Sequence, residues 1–212
     1  MRLSIFILLL AITTACQRSS KIPEDFDYGK IENGVYTNNY FAFEIPVPAA
    51  WAVQSREQVQ QLQKQGEDIA SGNNTELRTK LKAADIQTAI LLTVFKNKPD
   101  SAISGFNSSF IILAENLGMS GVKEGKDYLE HAKEIMKQSN VSYLFSPEYY
   151  SEKIGNKKFD AMDATLSSNA DSVRQIYYST IDRNFALSFI ISYSNSQQKT
   201  ELKNIINKIR FR

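Results

Sequence analysis

Between residues 118 and 122 the chain reads Gly-Met-Ser-Gly-Val. A serine in a glycine-containing turn between a strand and a helix can act as a nucleophile. A histidine would take its proton and backbone N–H groups would hold the oxyanion. Such a turn has the form Gly-x-Ser-x-Gly, and Val122 occupies the second glycine position, where a Cβ crowds the turn that would expose Ser120. The only histidine is His131, about three helical turns further on, so a folded-back loop must bring it to the serine. A small envelope serine hydrolase using Ser120 and His131 is therefore the catalytic alternative the sequence offers. The competing expectation is a solvent-exposed His131 on a charged helix face.

Paired carboxylates give less. Asp160 and Asp163 in Asp-Ala-Met-Asp are three apart on an expected strand and point to opposite faces, so they cannot act as an acid and base pair. Glu67 and Asp68 are adjacent on an expected helix and diverge. No Asp-x-Asp-x-Asp-Gly loop, His-Glu-x-x-His helix or cysteine cluster is present, so no calcium or zinc site is implied. The nine glycines include neither Gly-x-x-x-x-Gly-Lys nor Gly-x-Gly-x-x-Gly, and no nucleotide or other cofactor is expected. Catalytic residues are thus expected to be absent, and the protein is expected to be no enzyme.

One further residue carries chemistry of another kind. Cys16 is the single cysteine of 212 residues and follows Leu-Leu-Leu-Ala-Ile-Thr-Thr-Ala. Residues 1–15 have a short basic start at Met1 and Arg2, an apolar run from Leu3 to Ile12, and small residues to Ala15, which is the form of an export signal. The run is about half the roughly 20 residues a spanning helix needs. The segment Ile12 to Cys16 resembles the lipobox of bacterial lipoproteins, with Thr13 departing from the leucine usual three places before the cysteine. That resemblance implies cleavage between Ala15 and Cys16 and acylation of the cysteine, palmitate included. Anchoring needs more than one acyl chain, since each buried methylene contributes about 0.8 kcal/mol. Gln17, in place of Asp, implies transfer to the outer membrane, facing the periplasm. An ordinary cleaved signal peptide or a free buried thiol are the alternatives.

Composition bounds the rest. The chain carries 25 basic and 23 acidic side chains, a formal charge of +2. Loss of residues 1–15 removes only Arg2, so no field remains to attract nucleic acid. The 197 residues from Cys16 suit one domain that relies on its core, because no disulfide can form within it.

The elements that must position any site follow from periodicity. Gln17 to about Glu32 is polar and reads as a flexible tether, so the expected division is 1–15 signal peptide, 16–33 tether and 34–212 domain. Strands are expected around the turn Asn38 and Asn39, with Phe41, Phe43 and Ile45 alternating on one face. A helical stripe follows through Val59, Leu62, Gly66, Ile69 and Ala70. After Ser-Gly-Asn-Asn-Thr a second stripe runs through Leu77, Leu81 and Ala84. Ala89 to Lys96 and Ser108 to Asn116 read as central strands. Gly125 to Ser139 is helical, burying Tyr128 or Leu129, Ala132, Ile135 and Met136.

Three strand candidates follow, the last folded back at Asp-Arg-Asn, residues 182–184. There Phe185, Leu187, Phe189, Ile191 and Tyr193 form a bulky face opposite a mostly small one, on which a helix can pack closely. A final helix opens at Asn195 or Ser196 and carries Leu202, Ile205, Ile206 and Ile209, with Lys208 and Arg210 near its end. Tyr149 with Tyr150, and Tyr177 with Tyr178, place one ring on each face of a strand, so one of each pair can reach the surface. The class expected is α+β, a largely antiparallel sheet flanked by helices.

The order of Tyr-Thr-Asn-Asn-Tyr-Phe-Ala-Phe-Glu-Ile near the start, Asp-Tyr-Leu-Glu-His-Ala in the middle helix, and Arg-Gln-Ile-Tyr-Tyr to Ile-Arg-Phe at the end resembles the PsbP-like group, which includes small bacterial lipoproteins of the DcrB type. Over residues 34–212 the resemblance implies an α/β/α sandwich and specifies no activity. The expected role is a non-catalytic binding or accessory module, held to the membrane through its lipid and meeting an envelope protein partner. The helical segment 55–87 is longer than that group's usual element. It is expected to cover the open face of the sheet or to offer a partner surface.

Overall fold

The computed structural model describes residues 21–98, 101, 105–118, 120–167 and 172–212. In chain order its elements are β1 (Lys30–Glu32), β2 (Val35–Asn38), β3 (Phe43–Pro46), β4 (Ala52–Val53), α1 (Arg56–Ser71), α2 (Thr75–Gln87), β5 (Thr88–Phe95), β6 (Ser109–Asn116), α3 (Gly125–Lys137), β7 (Tyr143–Phe145), β8 (Tyr150–Ile154), β9 (Lys157–Ser167), β10 (Ser172–Asp182), β11 (Phe185–Tyr193), α4 (Ser196–Ile206) and β12 (Arg210–Phe211). The expected class holds, with one refinement: the strands form two sheets. A large sheet runs β4-β5-β6-β11-β10-β9, with β7 and β8 on successive stretches of β9, and a small one runs β1-β2-β3-β12. The closing pair joins Phe211 to Phe43 across nearly the whole chain, a contact without local pattern.

The axis of the large sheet is β11, whose two faces behave as its alternation predicts. Phe185, Leu187, Phe189, Ile191 and Tyr193 are all buried. Phe189 stacks on Phe159 at 4.9 Å and meets Phe43 of the small sheet edge-on at 5.9 Å. On the opposite face lies α3, set so close that a Cβ on Gly125 would fall 2.1 Å from the Ser179 carbonyl oxygen. The turn between β10 and β11 places Arg183 and Asn184 at φ 51° and 67°, the two-residue form whose twist matches a hairpin.

Two boundaries differ from expectation. The final helix stops at Ile206, Ile209 is buried beyond it, and Arg210 pairs with Glu44 as strand instead of closing the helix. Residues 21–33, expected as tether, pack onto the body. Phe26 is 7 % exposed and stacks on Phe185 at 5.2 Å. The Ile22 N–H donates to the Ile86 carbonyl at 3.2 Å, and the Asn116 side chain donates to the Lys21 carbonyl at 3.1 Å. The apolar residues Ile22, Phe26 and Tyr28 follow neither helical nor strand spacing, which hid their burial from a periodicity reading.

Helices α1 and α2 form a hairpin. Ser55 caps α1 in a reciprocal pair with Gln58, and Asn74 caps α2 through the Leu77 N–H. Arg78 pairs with Asp68 at 2.6 Å. Across the same hairpin the Glu67 carboxyl is pushed up to about 7, first by a hydrogen bond shared with the Asp85 carboxyl, then by desolvation and by the Asp85 charge, against the Lys82 ammonium. Glu67 thus diverges from Asp68, as expected, only to meet a carboxylate from the other helix.

Two outcomes follow. Phe26→Ala should destabilise the domain by about 3 kcal/mol in denaturant unfolding, the lower part of the range for a buried phenylalanine, whereas a residue in a free tether would leave the midpoint unchanged. Glu67 binds its proton more tightly folded than at the ordinary value of 4.5. Its contribution to stability therefore falls as pH rises from about 4.5 through 7. Glu67→Gln should flatten the fall in melting temperature across that window and melt higher than the parent above it, and identical pH slopes would contradict the shared proton.

Candidate functional site

The sequence around residue 54 creates an opening at one edge of the large sheet. Ala52 and Val53 pair with Phe95 and Val94, and the Gln54 N–H continues the ladder to the Thr93 carbonyl at 2.9 Å. At Ser55 the chain turns away into α1, stabilised by the Gln58 Oε1 accepting from the Ser55 N–H at 2.8 Å. Among the described residues β5 from Thr88 to Leu92 therefore pairs with β6 alone. A bulge shifts the register between Ile90 and Leu92, the kind of irregularity that bends a strand at a sheet edge.

Facing this open stretch is β1, itself the outer strand of the small sheet. Helix α1 lies alongside, and the space between is a cavity of about 440 Å³, within the size range of ligand clefts. It runs from Thr88 and Asp85 at one end to Thr93 and Arg56 at the other, past Leu91 and Leu92.

The wall is rich in amides. Gln60 and Gln63 reach it from α1, and Gln54 lies between them and the sheet. Gln54 is only 8 % exposed. Its Nε2 donates to the Ala52 carbonyl at 3.0 Å, while its Oε1 is buried with no partner; leaving such a group unpaired is costly. Arg56 and Asp85 place opposite charges at the two ends, and the third charged residue of the lining, Lys30, is paired with Glu32 at 2.8 Å. The Arg56 guanidinium sits 4.4 Å over the Tyr28 ring, and the Asp85 carboxylate accepts from Gln63 Nε2 at 3.3 Å.

Behind Tyr28, the Tyr36 hydroxyl donates to its carbonyl at 2.7 Å, and burial raises the Tyr36 phenol far above its ordinary value. Asp27 fixes this corner by accepting from the Gly29 and Asn39 N–H groups at 2.7 and 2.8 Å. No periodicity or motif marks the cleft, save one sequence signal, the capping box Ser-x-x-Gln at 55–58, two residues after a strand too short to cover its neighbour.

The residues singled out for chemistry lie elsewhere. Ala15 and Cys16 are outside the described residues. Ser120 is exposed, and its hydroxyl accepts from the Val122 N–H at 3.3 Å. His131 is exposed on α3, near the Glu115 carboxylate. No hydrogen bond between Ser120 and His131 occurs among the described residues. Burial raises the Glu115 carboxyl, against the hydrogen bond it accepts from the Tyr128 hydroxyl at 2.8 Å and the pull of His131.

Asp160 accepts from the Ser151 hydroxyl and the Lys126 N–H, and Asp163 from the Tyr150 hydroxyl, on opposite faces of β9. Of the tyrosine pairs, Tyr150 reaches solvent, while Tyr178 is wholly buried with its hydroxyl accepting from Lys203 at 3.0 Å. Among the described residues no helix is long and apolar enough to cross a membrane.

No family model and no curated protein matches this chain. Several solved structures are similar to it. A crystal structure from Bacteroides thetaiotaomicron has a TM-score of 0.43 and 12 % identity, covering 81 % of this chain and 45 % of that one, so this chain spans less than half of that protein. LpqN of Mycobacterium tuberculosis, a protein involved in cell envelope biogenesis, has a TM-score of 0.43 and 13 % identity over 79 % of this chain and 82 % of that one. The solution structure of the cyanobacterial PsbP of Synechocystis has a TM-score of 0.50 and 8 % identity, covering 87 % of this chain and 96 % of that one. At that identity the likeness concerns the fold alone: this chain has a PsbP-like α+β architecture.

Proposed function

We propose that this chain is a lipid-anchored protein of the cell envelope, on the periplasmic side of the outer membrane, and that its domain is a non-catalytic binding module working through the cleft beside β5. The observation that carries this reading is the cleft itself, a concave site with amide side chains along its wall and opposite charges at its ends. Such placement of a few polar groups in a partly apolar hollow is how binding sites fix orientation. The anchoring part rests on the sequence of residues 1–17. With Lys21 already held to the body, the five residues that follow Cys16 reach at most about 18 Å. An anchor at Cys16 would hold the domain close to the bilayer, with the end of α2 near its surface.

Cys16→Ser should move the protein out of the membrane fraction and remove its acyl mass. A serine variant that still sediments with membranes, at unchanged mass, would exclude lipid attachment at this cysteine. A photo-crosslinking residue placed at Gln60, exposed on α1, should give a discrete adduct in cells, and one at Lys153 on the far edge of the sheet should not. Equal labelling from both positions, or none from Gln60, would contradict the cleft as the binding surface.

A further inference from the structure

The cleft lies along an unpaired strand edge, and that fact restricts what fills it. Among the described residues, the opposite edge of the large sheet is blunted. The far side of the large sheet is divided between β7 and β8, and β8 presents Ser151, Glu152 and Lys153 along it. Charges and interruptions of this kind are how proteins keep sheet edges from pairing. From Thr88 to Phe95, by contrast, β5 reads Thr-Ala-Ile-Leu-Leu-Thr-Val-Phe without a charge, and β4 pairs with only its last residues.

The stretch left open, Thr88 to Leu92, is about 13 Å long at strand rise, and the cavity follows it. On the other side lie Lys30 and Ile31 of β1, the outer strand of the small sheet. A cleft bordered by the β5 edge, flanked by β1 and roofed by α1 has the shape of a missing strand.

We infer that the cleft takes an extended peptide segment as an added strand along β5, with an acidic side chain toward Arg56 and a basic one toward Asp85. The inference rests on the cleft being the binding surface and names its occupant. Main-chain hydrogen bonds to the β5 edge supply the attachment, as in other strand additions, and the pockets for alternate side chains supply selectivity. The three glutamines suit a peptide, because each amide donates and accepts as a peptide group does. The unpartnered Oε1 of Gln54 is buried behind this wall, so a peptide donor reaches it only when that side chain turns. Helix α1 and the Tyr28 corner crowd the edge on both sides, which favours a single chain over the β5 edge of a second copy.

The test is selection of a random heptapeptide phage library on the full chain in detergent, followed by synthesis of the enriched peptides. An enriched peptide should slow amide hydrogen exchange across Thr88–Leu92. N-methylation of two alternate residues in the peptide should weaken binding about tenfold, since each removes one main-chain donor. The variants Arg56→Glu and Asp85→Lys, both at exposed positions, should fold and select peptides with the opposite order of charges.

No enrichment, binding that leaves the β5 amides unprotected, or equal binding after N-methylation overturns the inference. So does protection of those amides by self-association without any peptide, which would assign the edge to a second copy. If Gln60 still crosslinks in cells when these fail, the cleft remains a binding surface and the occupant alone is wrong.

Discussion

The fold depends on one seam of aromatic contacts between its two sheets. β11 sits in the middle of the large sheet, and its odd-numbered residues from Phe185 to Tyr193 all point at the small sheet and α4. Phe189 touches Phe43, Phe110 and Phe159, and Phe185 touches Phe26, Tyr40 and Phe41. These rings join strands from the beginning, middle and end of the chain, so the small sheet has no position of its own without them. Each ring buries a large area, and edge-on and offset contacts add to what burial alone supplies. With no disulfide available within the domain, this seam is where cohesion must come from.

The cleft is a consequence of how the two sheets meet. Their faces register at the seam, but β4 supplies only two residues to the edge of the large sheet before Ser55 diverts the chain into α1. A longer β4 would have closed the gap. Instead the hairpin of α1 and α2 leaves the edge lined and roofed but unpaired. The bulge at Leu91 belongs to the same region: it bends β5 where pairing stops, and Leu91 contributes to the cleft wall while remaining 7 % exposed.

Much of this was readable in the sequence, and the unread part has a common cause. The alternation of β11 and the spans of α1, α2 and α3 are local patterns with periods of two and 3.6, and they appear in the structure within a few residues, though of the stripe expected to be buried on α3 Leu129 is buried and Ile135 is exposed. The pairing of Arg210 and Phe211 with Glu44 and Phe43 joins segments nearly the whole chain apart, and the burial of Ile22 and Phe26 depends on rings supplied by β3 and β11. Nothing local announces either one. The cleft belongs to the same class, since it consists of what a short strand fails to cover. The serine motif had the reverse history: it was conspicuous locally, and the fold puts Ser120 in an exposed loop with its hydroxyl turned to Val122.

The hairpin 56–87 offered two readings, a cover for the sheet or a surface for a partner, and its packing bears on the choice. A helix that exists to close a core buries an apolar stripe. In α1 the one fully buried residue is Ser71, whose hydroxyl donates to the Glu67 carbonyl, while Ile69 is 66 % exposed. In α2 only Leu77 is buried, and Ile86 is 54 % exposed. Caps at Ser55 and Asn74, the Arg78 to Asp68 pair and the contact of Asn140 N–H with the Ala70 carbonyl hold the hairpin in place. Little apolar area does so. An element fixed at its ends by polar contacts can tilt at small cost, because few buried contacts oppose local opening. The same helix forms the outer wall of the cleft, so the packing of that wall is independent of the aromatic seam.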